Sequence, residues 1–108
     1  MFFILFYFVL PKWNDIIGSF CAQMPLKKHW RNLRAYSNCF SGSDAVDWML
    51  RYLKTSPHFK HLTLNRQNAI AVLQIMFRDK LFEDVRAAAS TDSFNQPKPF
   101  ADDDRLYR

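Results

Sequence analysis

With 108 residues, 49% of them apolar and only two glycines, the chain has material for one small core and none for a glycine-rich phosphate loop or a dinucleotide fingerprint. Its net charge of +5 is unevenly placed: residues 11–81 carry eleven Lys/Arg against four acids, and residues 82–108 four against six. A basic domain suits anionic partners, whether phospholipid, nucleic acid or an acidic protein face.

Residues 1–10, MFFILFYFVL, are apolar and uncharged. A membrane span takes about 20 such residues, and Pro11-Lys12 ends this run at half that length. The basic start and small-residue cleavage site of a signal peptide are missing. Three readings stay open: an interfacial anchor, a segment packed on the domain, or a start upstream of the natural one. The last two are preferred, because a free aromatic run in water aggregates.

Trp13, Ile16, Ile17, Phe20 and Met24 fall on one stripe of a first helix, entered through Pro11 and stopped by Pro25. Residues 27–40 lack a clean helical stripe, and Ser37-Asn38 is turn chemistry, so the stretch is expected to form a basic hairpin or extended arm. Ser41 then caps a second helix, with Asp44 at its third position and Arg51 and Lys54 near its end, closing before Pro57. Its buried row is Val46, Leu50 and Leu53, widened by Ala45, Trp48, Met49 and Tyr52. Thr63 or Asn65 caps a third helix over about 65–81, apolar nearly all round, with Ile70, Leu73 and Phe77 in one row and a thin exposed strip of Arg66, Gln67, Gln74 and Arg78. Residues 82–86 are expected as a short strand, 87–104 as loop or disorder, and 105–108 as the start of another strand. The fold class is therefore mainly α with small β: a three-helix bundle with a β-hairpin arm between helices one and two and short C-terminal strands, winged-helix-like in outline. The domain occupies 12–108 behind an apolar segment 1–11, with a flexible loop over 86–104.

The strongest candidate for chemistry is the arm. Lys27, Lys28, Arg31 and Arg34, with His29 among them, place four positive charges in eight residues without an acid. Trp30 either sits at the headgroup level of a membrane or packs inward. Asp44 and Asp47 are read as helix-terminus charges rather than an acid–base pair, and Trp48 as a core anchor. Cys21 and Cys39 are read as reduced core thiols. His58 and His61 are too few for zinc, and Asp102-Asp103-Asp104 lacks the alternation of a calcium loop. That acidic turn is a candidate to screen the arm. No cofactor or metal is expected, and no nucleophile, base and orienting group occur together in a readable motif.

Several of these stretches resemble DEP domains, the module shared by Dishevelled, pleckstrin and many regulators of G-protein signalling. The marker is Cys39-Phe40-Ser41-Gly42-Ser43-Asp44-Ala45-Val46-Asp47-Trp48-Met49-Leu50, similar to the family's F-x-G-S-x-x-V-D-W-L helix. Trp13, Met24-Pro25-Leu26, Asn65-Arg66, Leu81-Phe82-Glu83-Asp84-Val85 and Leu106-Tyr107-Arg108 support it. The MPL-basic-K-H run is most similar to the DEP domain-containing protein 1 group, whose members pair the domain with a Rho-GAP-like region. The resemblance implies a non-catalytic signalling or adaptor module in G-protein- or Rho-linked transduction. It implies a cytoplasmic, peripherally membrane-associated domain that recruits its protein to acidic phospholipid or to a membrane receptor or signalling protein, with Lys27, Lys28, Arg31 and Arg34 as the binding positions. Protein docking or a homodimer is the alternative. A winged-helix nucleic-acid binder is less favoured, because helix three is mostly apolar where a recognition helix is polar and basic.

Overall fold

Prolines punctuate the first helix as expected. A single 3-10 turn, Leu10–Lys12, carries Pro11 and leads into α1, Trp13–Gln23; Pro25 lies just beyond its end. The chain continues through β1 (Lys27–Arg31), β2 (Arg34–Ser41), α2 (Gly42–Thr55), α3 (Arg66–Arg78) and β3 (Leu106–Tyr107). The computed structural model describes residues 10–31, 33–59, 62–85 and 99–108; the expectations for residues 1–9, for His61 and for 86–98 lie outside these. The architecture is three helices and one antiparallel sheet in the order β1-β2-β3, the mainly helical class expected.

The helices pack as their stripes dictate. Ile16, Phe20 and Met24 of the α1 side meet Ala45, Val46, Met49 and Leu53 of α2, and Ala69, Val72, Leu73 and Met76 of α3. The buried row of α2 therefore runs through Met49, and Leu50 is only half-buried. The row in α3 likewise runs through Leu73 and Met76, leaving Ile70 and Phe77 at its margin. Asn65 caps α3 with a reciprocal box: its side chain accepts from the Asn68 N–H at 3.1 Å, and its own N–H donates to Asn68 Oδ1 at 2.9 Å. The helix stops at Arg78 rather than near 81, because Asp79 and Lys80 close a turn with Lys80 at φ 63. The segment expected as a strand at 82–86 is reduced to an isolated bridge, Asp84 to Tyr107, flanked by two Glu83–Arg108 backbone bonds. Phe82 faces inward there, into an aromatic layer.

That layer joins Phe20, Phe40, Phe77, Phe82, Phe100 and Tyr107, with ring centroids 5.0–6.1 Å apart, mostly edge to face. Such pairs add about 0.5–1.5 kcal/mol each beyond the area they bury. Trp48 stacks on Tyr52 and meets Phe20 edge-on, the core anchor expected of it although half-buried. Cys39 is buried, and burial pushes its thiol above the ordinary value. Cys21 departs from expectation: it lies on the exposed face of α1.

The C-terminal segment seals the fold. Ser41 Oγ accepts from the Asp44 N–H at 3.1 Å, satisfying one open donor of α2. The preceding two donors, the N–H groups of Gly42 and Ser43, reach the carbonyls of Arg105 and Asp103 at 2.9 and 2.8 Å. This brings backbone so close to Gly42 that a Cβ there would overlap the carbonyl oxygen of Ala101. Arg66, expected on an exposed strip, instead forks onto Asp102 at 2.7 and 2.9 Å and also pairs with Asp47. Both carboxylates raise the Arg66 guanidinium further above its ordinary range. Gln74, also expected on that strip, is half-buried, and its Oε1 accepts from the Phe100 N–H at 2.8 Å. Residues 99–104 are thus a loop, but one packed on α2 and α3 through buried Phe100. Tyr107 is 0% exposed, and its hydroxyl accepts from the Ala101 N–H at 3.0 Å.

Two outcomes follow from this seal. Gly42→Ala forces backbone against a new methyl group and is expected to cost about 3 kcal/mol by overpacking, read as a lower urea midpoint; Gly18→Ala, with open space around it, is the control. Burial, the dominant influence, raises the Tyr107 phenol above its usual 10.0 and favours the neutral form in the folded chain. Its contribution to stability is fully present below that value and is lost as pH rises through the raised one. Urea unfolding at increasing pH above 10.0 should show this decline, and Tyr107→Phe should remove it.

Candidate functional site

The arm begins where Pro25 and Leu26 carry the chain off α1. Burial alternates along β1: Lys28 and Trp30 are exposed, His29 and Arg31 half-buried. The register pairs Arg31 with Arg34, Trp30 with Ala35, and His29 with Tyr36, then slips so that Lys27 faces Cys39. Two steps along β1 are matched by three along β2, which places Ser37 and Asn38 opposite Lys28 in a bulge. Asn38 sits at φ 53, a conformation asparagine tolerates. The turn chemistry of Ser37-Asn38 therefore marks a bulge, and the chain reverses between the paired Arg31 and Arg34 instead. At that reversal Leu33 holds φ 64 and is 100% exposed.

The foot of the arm is fixed by Cys39, Val85 and Leu106, with Tyr36 against them. Beyond it the hairpin projects. Among the described residues, β3 pairs with β2 only at Phe40 and Ser41, so residues 34–38 have a strand on one side alone.

The four basic positions are not equivalent. Lys27, Lys28 and Arg34 are exposed. Arg31 is half-buried: its guanidinium donates to the Trp30 carbonyl at 2.8 Å and to the Asp104 carbonyl at 3.3 Å, while Nε is buried without a partner. It lines a cavity of about 130 Å³ with Tyr36, Asp103, Asp104 and Arg105. Trp30 stays 62% exposed, with the Lys28 ammonium 5.4 Å from its ring centroid. A cation over an exposed indole is worth about 0.5–1 kcal/mol. The acidic turn is engaged elsewhere for the most part: Asp102 holds Arg66, and Asp103 accepts from the Arg105 N–H at 2.9 Å. Its link to the arm is the backbone carbonyl of Asp104.

The remaining candidates resolve into structure. Asp44 belongs to the Ser41 cap and Asp47 to the Arg66 pair. His58 is exposed and meets Phe59 edge-on. Among the described residues, no three His, Cys, Asp or Glu side chains converge as for a metal, and no helix is long and apolar enough to cross a membrane. What remains is a protruding surface with three solvent-facing cations and two exposed apolar side chains. Leu33 carried no sequence signal, because a leucine between polar neighbours reads as a minor packing residue until the reversal is located.

Comparison with known proteins agrees with this architecture. The model of the domain found in Dishevelled, Egl-10 and pleckstrin matches residues 23–108. DEP domain-containing protein 1A of Xenopus laevis is 34% identical over 96 residues, covering 89% of this chain and 11% of that protein. DEP domain-containing protein 1B of Homo sapiens is 29% identical over 96 residues, covering 89% of this chain and 17% of that protein. The chain thus spans less than a fifth of the length of these curated relatives. The human pleckstrin DEP domain, determined by NMR, superposes with a TM-score of 0.53 at 14% identity, over 87% of this chain and 95% of that one. The helix marker at Cys39–Leu50, the hairpin before it and the closing strand all fall within the matched region, and the chain belongs to the DEP family.

Proposed function

We propose that this DEP domain is a non-catalytic adaptor that draws its protein to an acidic membrane surface through the tip and outer face of the β1–β2 hairpin. The observation that supports this is the combination of exposed Lys27, Lys28 and Arg34 with exposed Trp30 and Leu33 on one projection. Each lysine or arginine near an anionic leaflet contributes about 1 kcal/mol, enough together for reversible recruitment and too little for permanent anchoring. An indole at the headgroup level and a leucine below it add contact that salt does not screen. The domain is then cytoplasmic and peripheral, with the lipid headgroup or an acidic membrane protein as its partner. Arg31 serves this surface from behind, by tying the hairpin to the C-terminal turn.

Two alternatives carry less support. Self-association draws on the one-sided stretch 34–38 and the bare Leu33, both of which invite a second chain. Nucleic-acid binding through α3 loses its main cation, since Arg66 is committed to Asp47 and Asp102.

Vesicle co-sedimentation decides among them. Binding to phosphatidylserine vesicles is expected to weaken with salt, and joint reversal of Lys27, Lys28 and Arg34 to Glu to remove about 3 kcal/mol, roughly a hundredfold. Binding that ignores both salt and the reversal would overturn the role of the hairpin. A concentration-dependent sedimentation coefficient lost in Leu33→Asn would favour the dimer.

A further inference from the structure

We infer that Ser37 is a phosphorylation site for an arginine-directed serine kinase, and that the phosphate it receives switches off the cationic hairpin. The second half rests on the membrane reading above; the first does not.

Ser37 is the only serine or threonine of the chain with arginine three residues before it, Arg34, and a second arginine, Arg31, stands six before it. No acidic residue occurs between Asp15 and Asp44, so the whole approach to the site is positive or neutral. Its placement suits a kinase cleft. Protein kinases that select basic residues take their substrates as extended chain, and residues 34–37 are already extended on β2. At this level, among the described residues, the strand is paired on one side alone, with the ladder to β1 interrupted by the bulge at Ser37-Asn38. Few backbone bonds must therefore open to present the site. The serine and Arg34 are both exposed.

The reaction is a phosphoryl transfer from ATP. The bond between Ser37 Oγ and the γ-phosphorus forms as the bond to the β,γ-bridging oxygen breaks; ADP leaves, and the hydroxyl proton passes to the base of the kinase. The product adds nearly two negative charges to the hairpin. They arrive opposite Lys28, and beside Arg108, whose Nη2 already lies 3.3 Å from the Ser37 carbonyl oxygen. Those cations turn inward onto the phosphate, and its own charge repels the anionic leaflet.

The test uses the whole chain, folded, with ATP and a calmodulin-dependent protein kinase, a class that requires arginine at the third position before the acceptor. Mass spectrometry should place the phosphate on Ser37, with Ser37→Ala abolishing it and Arg34→Ala slowing it at least tenfold. No phosphate on Ser37, or equal rates with Arg34→Ala, would overturn the site. The phosphorylated chain should then bind phosphatidylserine vesicles about tenfold more weakly than the unmodified chain, with Ser37→Ala protected from the change. Equal binding by both forms would overturn the switch. If the unmodified chain fails to bind vesicles at all, the membrane reading and the switch fall together, and the mapped phosphate stands alone.

Discussion

The fold depends on how the N-terminus of α2 is closed. A helix leaves its first N–H groups without partners, and this one begins inside the domain, directly after the strand that carries the arm. Ser41 supplies one acceptor from its own side chain. The next two come from the far end of the chain, as the carbonyls of Asp103 and Arg105. Only a residue without a side chain lets that backbone approach, and Gly42 is there. One junction thereby sets the start of α2, the end of β2 and the path of the C-terminal segment.

The other contacts of that segment reinforce the junction in different chemical currencies. Phe100 and Tyr107 complete an aromatic layer that α1, β2 and α3 begin. Gln74 fixes the approach through a single hydrogen bond accepted from the Phe100 N–H, and Arg66 spans the outside with a fork to Asp102 and a branch to Asp47. The ion pairs are partly exposed, so they set register more than stability. The hairpin benefits at its foot, where Leu106 and Cys39 pack together and Arg31 reaches the Asp104 carbonyl. A projecting arm with one fixed end presents its tip in a defined direction, which a free loop would not.

Local signals were enough for most of this. Pro11 and Pro25 bracket α1, Ser41 caps α2 as expected, Asn65 is the one of the two candidates Thr63 and Asn65 that caps α3, and the Phe40–Leu50 stretch marks the family. The places where sequence reading stopped short are those decided by distant partners. Arg66 and Gln74 look like surface residues on a helical wheel, because the segment that covers them is more than twenty residues away. Ser37-Asn38 reads as a turn, because asparagine accepts left-handed backbone equally in turns and bulges, and only cross-strand register tells them apart. The four basic residues look alike in a charge count, yet the alternation of β1 and the reach of Asp104 separate Arg31 from the other three.

The long sequence separation between Tyr107 and its partner Phe40 bears on how the domain is made. The β1–β2 ladder and the packing of α2 on α3 rest on contacts close in sequence and can form as they are synthesised, whereas β2 waits for its second partner, more than sixty residues downstream. A nascent chain still lacking β3 and the turn before it holds Phe20, Phe40, Phe77 and Phe82 around an open seam, with the N–H groups of Gly42 and Ser43 bare. Synthesis of the β3 segment, more than that of any single helix, is therefore the event that closes the core, and until then the unfinished chain displays the sticky aromatic surface that chaperones bind.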